Sequence, residues 1–370
     1  MSGRYEKKKQ KRPMGWKKIL LIVLGILAAL IAVLIIVGVI YYFSMIGKIN
    51  RVVVPTIEYT QATEPEKPVE TTQAAVETTA ETTVETTQPH VASSADYLNV
   101  LLVGQAARDG EEERFADTMI LCTLNTYTKT LTLTSLLRDS FVKMPDYKGH
   151  YGGRIKLTTI YHLGSIYGDG VAGSMELMNM TLYNNFGIEV DYNFEVDFEA
   201  FINVVNMLHG VDIDLTEAEA NYLNNDDKVW QTFEPGVNRL DGDSALSYAR
   251  MRKAEGDGES DIVRTSRQRK FMEAMLEKVK QKSLPELQEL ANEILPMITT
   301  SMSSADITKY LLTILPMLPE LKMETGGTCP ASYKGDMVDI YSDGFYHSVL
   351  RFDEAETKKT MRAITEGEQP

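Results

Sequence analysis

Hydrophobic residues form one long uninterrupted run near the start of the chain. Residues 19–43 are 25 residues without a charged side chain. As an α-helix this run would extend about 37 Å, more than the roughly 30 Å hydrocarbon core of a bilayer. The pattern predicts a transmembrane helix over residues 19–43. A cleaved signal peptide is the alternative, but its apolar region is normally about 7–15 residues long, and this run reaches Phe43 without a small-residue cleavage site.

Beyond this run, the spacing of hydrophobic residues alternates between strand and helix periods. The apolar residues 98–103, followed by Gly104, predict a strand buried on both faces, and residues 119–124 and 130–136 predict a hairpin. Further strands are expected at residues 192–196, 211–215 and 337–341. Helices are expected at residues 171–186, 198–208, 261–282, 285–294, 306–315 (with Ser304 as N-cap and Pro316 as stop) and from residue 353. This order predicts an α/β fold with a central mixed β-sheet flanked by helices on both faces.

A low-complexity segment separates the apolar run from these elements. Glu-Thr-Thr recurs between Glu70 and Glu85, and no aromatic residue lies between Tyr59 and Tyr97. Such a segment cannot bury enough apolar surface to offset its conformational entropy. We therefore expect residues 44–95 to be a disordered stalk and residues 96–370 to be the folded domain. A glycosylated stalk or a binding motif are the alternatives for the Thr-rich part.

Charge is distributed unevenly along the chain. Residues 1–18 contain eight basic residues and one acidic residue, whereas the whole chain has 38 Lys+Arg, 52 Asp+Glu and a net charge of −14. Because basic residues beside a membrane span remain in the cytoplasm, residues 1–18 are expected to be a cytoplasmic tail, with everything after residue 43 extracellular. A DNA-binding arm is the alternative for the tail. The acidic remainder argues against nucleic acid as a partner.

The cysteine content excludes two further classes of protein. Cys122 and Cys329 are the two cysteines of the chain, too few for a disulfide framework, and no Cys/His spacing suits a structural zinc site. Whether the two cysteines pair with each other stays open.

A basic cluster at residues 250–270 contrasts with the acidic remainder. It contains seven basic and four acidic residues, and most of its basic residues are arginines, whose planar guanidinium suits two-pronged hydrogen bonding to phosphate or carboxylate. Asp261, Arg264 and Gln268 are spaced three and four apart, so a helix would place them on one face near its N-terminus, where its dipole attracts anions. A solvated helix with ion pairs explains the same spacing.

Longer motifs around these residues resemble a known family. The motifs are LNVLLVG and ADT (residues 98–104 and 116–118), LLRDS (136–140), YARMR (248–252), DIVRTSRQR (261–269) and SVLRFDEAETKKTMRAI (348–364). In type, order and spacing they are similar to those of the LytR-CpsA-Psr domain, over about residues 97–367. The arrangement of a short basic tail, one span and an extracellular domain is also that of the family, and implies the cell membrane of a Gram-positive bacterium.

The resemblance implies a function and a set of site residues. A similar domain would bind a polyprenyl-pyrophosphate-linked glycopolymer and transfer the sugar phosphate to peptidoglycan, with Mg²⁺ assisting pyrophosphate cleavage. The pyrophosphate-binding residues would be Arg138, Arg250, Arg252, Arg264 and Gln268. Arg138, Arg252 and Asp261 would take part in catalysis, and Asp117 would bind the metal. Asp261 would serve as a base or as an ion-pair partner that holds two arginines. The lipid would lie in an apolar tunnel lined in part by residues 198–208.

The sequence departs from the family pattern in the loop after the first strand. The family's Gly-x-Asp is Gly104-Gln105-Ala106 here, so one metal-binding carboxylate is absent, and Asp109 is its candidate replacement. The family arginine two residues before the Asp-Thr pair is Phe115, with Arg114 one residue away. Arg154 and Lys156 lie where the family has a Lys-Ile-Asn motif, and either could reach the phosphates or be surface charge.

Three function hypotheses follow. The first is a magnesium-dependent phosphotransferase for teichoic acid, capsular polysaccharide or another wall glycopolymer, with a pyrophosphatase side activity. The second, suggested by Ala106, is a catalytically weakened polyprenyl-pyrophosphate binder or envelope regulator. A third, a transcription attenuator acting through the basic tail, has no physical route to DNA from outside the membrane.

Overall fold

The computed structural model describes residues 42, 44–57, 94–105, 114–252, 261–333, 338–342 and 345–367. Contacts divide the chain into two units, residues 1–48 and residues 49–370, and the elements labelled below all belong to the second. The strands are β1 (Asn50–Arg51), β2 (Tyr97–Gln105), β3 (Ala116–Asn125), β4 (Thr130–Leu136), β5 (Phe141–Lys143), β6 (Arg154–Lys156), β7 (Tyr192–Val196), β8 (Val211–Leu215), β9 (Gly236–Leu240), β10 (Ile298–Thr300), β11 (Lys322–Cys329), β12 (Val338–Ser342) and β13 (Phe345–Val349). The helices are α1 (Leu157–Tyr167), α2 (Gly170–Phe186), α3 (Phe198–Met207), α4 (Glu217–Asn224), α5 (Gly242–Arg250), α6 (Asp261–Lys280), α7 (Leu284–Ile294), α8 (Ser304–Met317) and α9 (Glu354–Thr365).

A seven-stranded mixed sheet, in the order β1-β10-β7-β2-β3-β4-β11, organises the domain. Strand β2 pairs antiparallel with β3 and parallel with β7, and β3 pairs antiparallel with β4. The hairpin between β3 and β4 is as predicted: the Asn125 side chain accepts hydrogen bonds from the backbone N–H groups of Tyr127 and Thr128. Short polar side chains commonly stabilise turns in this way.

The central strand β2 is covered on both faces, as its apolar run predicts. Alternate residues of a strand point to opposite sides of the sheet. Leu101 and Val103 belong to a core that includes α1 and α2 residues, whereas Leu98 and Val100 pack in a second core with Met317 of α8. The prediction of a central mixed sheet flanked by helices is therefore confirmed.

Helices α1 and α2 approach each other closely at glycines. A Cβ added to Gly173 of α2 would lie 2.4 Å from the backbone oxygen of Gly164 in α1. The absence of both side chains allows this contact, which seats α1 against the sheet. Helix α1 was not among the sequence predictions, although it provides residues beside the candidate site.

The boundaries of the stalk and of helix α8 are corrected by the structure. Asn50–Arg51, within the range expected to be a disordered stalk, pair with Thr299 and Thr300 of β10, because even two extended residues can add main-chain hydrogen bonds to a sheet edge. The rest of that range, residues 58–93, lies outside the described residues. Helix α8 begins one residue after its N-cap Ser303 and includes Pro316, ending at buried Met317. Pro316 has no N–H to donate to residue 312, so one helical hydrogen bond is missing and the helix ends one residue later.

The prediction of a membrane span falls almost entirely on residues outside those described. Among the helices that the structure describes, none has the length and apolar character needed to cross a bilayer. The predicted cytoplasmic tail, residues 1–18, also lies outside the described residues.

The two cysteines are free thiols on different strands. Cys122 lies within β3, and Cys329 is the last residue of β11. Burial raises the pKa of Cys122 to about 12 and raises that of Cys329 as well. The question of a disulfide between them is thereby answered in the negative, and both thiols are packing residues.

Candidate functional site

An apolar cavity of about 210 Å³ lies between the sheet and helices α3, α5 and α6. Strands β2 and β3 contribute Leu102 and Ile120, and α3 contributes Phe201. The lining residues of α6 extend from Gln268 to Met275, a helical distance of about 10 Å at 1.5 Å per residue. The position of this cavity beside α3 agrees with the tunnel expected along residues 198–208.

Part of the cavity wall carries polar residues. The Gln268 amide donates to the Thr118 hydroxyl at 3.0 Å and contacts the Ala249 carbonyl oxygen at 3.4 Å. Arg250, next to Ala249, also lines the cavity, and its guanidinium lies 4.6 Å from the centre of the Phe198 ring. These contacts bring a cation and an amide to the wall of a pocket whose other lining residues are mostly apolar, apart from Thr118 and Asp197. Such a pocket suits a molecule with an anionic head and a hydrocarbon tail.

The spacing of Arg264 and Gln268 does place both on one helix face. The Arg264 guanidinium donates to the Asp117 backbone oxygen at 3.4 Å, one residue from the contact between Gln268 and Thr118. Both α6 residues therefore lie against the start of β3. Arg264 is buried, so its charge is only partly screened by water.

Arg138 lies in a row of alternating charges. Its Nη1 atom is 2.8 Å from the Asp117 carboxylate, and its Nε atom is 3.5 Å from Asp139. The other oxygen of Asp139 is 2.9 Å from Lys156 Nζ. Lys156 thus joins the site through Asp139, whereas Arg154 pairs with Glu354 on the surface at 2.7 Å. The charge row holds the Arg138 guanidinium in one orientation, with two anionic partners.

Thr158, which the sequence analysis did not single out, connects the segment after β4 with the start of β3. Its backbone N–H donates to the Arg138 carbonyl oxygen, and its hydroxyl donates to the Ala116 carbonyl oxygen, both at 2.9 Å. Thr158 therefore ties the end of β4 to the start of β3 beside Asp117. Its position two residues after Lys156, in the segment RIKLTTIY (residues 154–161), was the available signal, but only the fold shows what it bonds.

The remaining predicted residues divide into two groups. Arg250 and Arg252 are both exposed, on either side of buried Met251 at the end of α5. Ala106 and Asp109 lie outside the described residues, and of Asp261 only the backbone is described, as the first residue of α6. The structure therefore gives no side-chain contacts for Asp109 or Asp261.

Arg267 belongs to the basic cluster but does not line the cavity. Its Nε atom is 2.7 Å from Glu219, with side chains only 4% and 8% exposed, and its Nη1 atom donates to the Met251 carbonyl oxygen at 3.3 Å. Met251 separates Arg250 from Arg252. Arg267 therefore supports the chain segment that carries both arginines, a role that the spacing of charges did not reveal.

Carboxylates for a metal are few in the part of the chain that the structure describes. No group of three or more His, Cys, Asp or Glu side chains is close enough there to hold an ion. Asp117 offers a 38% exposed carboxylate beside Arg138. Mg²⁺ often binds one or two protein carboxylates and takes its other ligands from substrate phosphates and water. Asp117 therefore fits a site in which the substrate supplies the remaining ligands.

A model of the LytR_cpsA_psr family matches residues 58–344, well over half of the chain. The chain belongs to this family. The Bacillus subtilis (strain 168) relative, the polyisoprenyl-teichoic acid–peptidoglycan teichoic acid transferase TagT, is 30% identical over 233 residues, which cover 61% of this chain and 66% of the relative. The Bacillus licheniformis transferase TagU is 33% identical over 183 residues, which cover 50% of this chain and 52% of the relative.

The chain thus spans about half to two thirds of the length of these two relatives. A solved structure of TagT bound to LIIa-WTA has a TM-score of 0.55 and 26% identity, covering 77% of this chain and 96% of that one. The family resemblance expected from the motifs is therefore confirmed, and the fold is that of LytR_cpsA_psr structures.

Proposed function

We propose that this protein is a phosphotransferase that moves a glycopolymer from a polyprenyl-pyrophosphate carrier to peptidoglycan. The observation that carries the proposal is that Arg250 and Gln268 both line the apolar cavity, while Arg264 of α6 bonds Asp117 of β3, one residue from the Gln268–Thr118 contact. The names of the TagT and TagU relatives support the same reaction class.

The carrier lipid matches the cavity by its chemistry. A polyprenyl chain consists of carbon and hydrogen, and each buried CH₂ contributes roughly 0.8 kcal/mol of transfer free energy. The pyrophosphate carries concentrated negative charge and requires charged donors. We expect the tail to lie along α6 between Gln268 and Met275, and the pyrophosphate to contact Arg250, Arg264 and Arg138.

In the transfer step, an acceptor hydroxyl attacks the phosphorus that carries the glycopolymer. A new P–O bond forms to the acceptor, the P–O bond to the second phosphate breaks, and polyprenyl monophosphate leaves with the negative charge. The arginines stabilise this charge and hold the pyrophosphate in line with the hydroxyl, so their contribution is electrostatic preorganisation. Arg252 and Arg138 are the residues we expect to contribute most to the chemical step.

The hydroxyl proton needs an acceptor, and Asp261 is the candidate. It is the first residue of α6, three residues before Arg264. Both roles from the sequence remain: general base, or ion-pair partner of the arginines. An Asp261→Asn variant that keeps lipid affinity and loses turnover supports the first role, whereas parallel loss of both supports the second.

We propose Asp117 as the protein ligand of Mg²⁺. The metal would add positive charge to the pyrophosphate oxygens and lower the cost of charge on the leaving phosphate. Asp117 also orients Arg138, so Asp117→Asn is expected to weaken both the magnesium response and pyrophosphate binding. Asp109 stays a candidate second ligand.

The sequence supports a membrane location for this reaction. Residues 1–18 would lie in the cytoplasm, residues 19–43 would span the cell membrane, and the domain would face the cell wall. Attachment to the membrane brings the domain to its lipid-linked substrate. When intact cells are treated with an external protease, we expect the chain to be cut only after residue 43.

The test uses the full chain in detergent with a short polyprenyl pyrophosphoryl sugar and an acceptor glycan, with and without Mg²⁺. Magnesium-dependent cleavage that is lost in Arg252→Ala supports the transferase. Tight binding without turnover supports the second function, a lipid-carrier binder, which Ala106 favours because it replaces a family carboxylate. An Ala106→Asp variant that then gains turnover would identify the missing carboxylate as the cause.

A further inference from the structure

The buried carboxylate of Glu195, near the end of β7, is the centre of a set of hydrogen bonds that includes Arg114, three residues before Asp117. Both carboxylate oxygens of Glu195 are engaged: one is 3.0 Å from Arg114 Nη1, and the other accepts from the Tyr161 hydroxyl at 2.6 Å. Arg114 Nη1 also lies 3.2 Å from the Gln105 side-chain oxygen. Glu195 is only 8% exposed. Because both of its oxygens are bonded and it is buried, this carboxylate orients Arg114 and Tyr161 and is not available to a substrate.

The three chain elements around Arg114 fix the place where β3 begins. Gln105, at the end of β2, pairs with Ala116 at the start of β3. Glu195 of β7 pairs with Val103 of β2. The backbone N–H of Arg114 donates to His162 Nδ1 of α1 at 3.1 Å. Arg114 is therefore held by side chains from β2, β7 and α1 at once.

The start of β3 is also the place where the site residues converge. Asp117 follows Arg114 by three residues, about 10 Å of extended chain. The Asp117 carboxylate contacts Arg138 at 2.8 Å, and its backbone oxygen accepts from Arg264 at 3.4 Å. A displacement of this short segment would move the partners of two of the arginines expected to bind pyrophosphate.

We propose that Arg114 and Glu195 form a positioning pair that fixes the start of β3 and thereby holds Asp117 where it orients Arg138. The inference rests on the proposed function and adds to it a residue pair that does not itself line the cavity. The Arg114 side chain is 37% exposed, but its partner Glu195 is buried and also accepts from the Tyr161 hydroxyl. Because that carboxylate has little freedom to rearrange, it anchors Arg114 and keeps the backbone at Asp117 in one position. Arg114 acts through Asp117 and is not a catalytic residue.

The test measures binding of a polyprenyl pyrophosphate and its magnesium-dependent cleavage by the full chain in detergent. Arg114→Gln removes the charge and keeps a polar side chain. Since a misplacement of about 1 Å can cost on the order of a hundredfold in rate, we expect turnover to fall by about tenfold to a hundredfold. Arg114→Lys should recover part of this loss. Arg239→Gln, which breaks the exposed Arg239–Asp212 pair at 2.9 Å, is the matched control and should stay near wild type.

A double-mutant cycle with Asp117→Asn separates positioning from a general loss of stability. If Arg114 acts through Asp117, Arg114→Gln weakens lipid binding in the wild-type background and has little further effect in Asp117→Asn. The inference is wrong if the fold-losses in lipid affinity of Arg114→Gln and Asp117→Asn multiply in the double variant, since the two residues then act independently. So does an Arg114→Gln variant that matches the Arg239→Gln control while the wild type binds and cleaves. A wild-type chain that neither binds nor cleaves the lipid refutes the proposed function itself.

Discussion

The buried pair between Arg267 and Glu219 offers the clearest energetic prediction. Arg267→Met keeps most of the side-chain length but leaves the Glu219 carboxylate, 8% exposed, without its cation. Removal of one partner from a buried ion pair typically costs about 3–5 kcal/mol. Because a domain's total stability is about 5–15 kcal/mol, this single change should remove about a fifth or more of it. The control is Arg239→Met, since Arg239 is 62% exposed and its pair contributes little.

The cost of Arg267→Met should depend on pH in a defined direction. Burial alone would raise the pKa of Glu219, but the Thr216 N–H and the Arg267 guanidinium outweigh it and hold the pKa below the ordinary 4.5. In the wild type this group therefore contributes stability that is present above pH 4.5 and is lost as the pH falls through the folded-state pKa. Without Arg267 the buried carboxyl favours the neutral form. The difference between variant and wild type should thus be largest near neutral pH and narrow as the pH approaches 4.5.

Urea unfolding of the full chain in detergent, followed by far-ultraviolet circular dichroism at several pH values, measures this difference. The double variant Arg267→Met with Glu219→Leu should recover most of the free energy of unfolding that Arg267→Met loses. About 1 kcal/mol should remain lost, because Glu219 no longer accepts from the Thr216 N–H. Equal unfolding midpoints for Arg267→Met and Arg239→Met, or a cost that does not change with pH, would refute the reasoning.

Three further predictions concern the cavity, the Thr158 link and the thiols. Ala249→Leu places a larger side chain in the cavity and reduces the volume left for a hydrocarbon chain. Competition binding should therefore show a greater loss of affinity for a long polyprenyl pyrophosphate than for a short one. Thr158→Val removes the hydroxyl that bonds the Ala116 carbonyl oxygen, so turnover should fall in the cleavage assay while Thr158→Ser keeps most of it. Cys122 and Cys329 should resist a thiol reagent at pH 7 and react after denaturation, since burial raises both pKa values; rapid labelling of the native chain contradicts this.

Local pattern predicted most of the sheet and of the long helices. Strands β7 and β8 begin and end where the alternation of residues indicated, because one apolar face per strand leaves a clear period of two. Strands β1, β10 and β11 of the main sheet and helices α1, α4 and α5 were not predicted. Strand β11 includes Gly326 and Gly327 at a register shift, so its pattern is weak, and its place beside β4 depends on a distant part of the chain.

The sequence by itself determined the family, the order of the main elements and the basic residues that could bind a pyrophosphate. It also placed Arg264 and Gln268 on one helix face, since that follows from 3.6 residues per turn. Only the tertiary structure decided which partners each face meets. Arg264 reaches the start of β3, while Arg267, also on α6, reaches buried Glu219. Helical spacing defines directions around one helix axis, whereas the partner in each direction depends on how distant strands and helices pack.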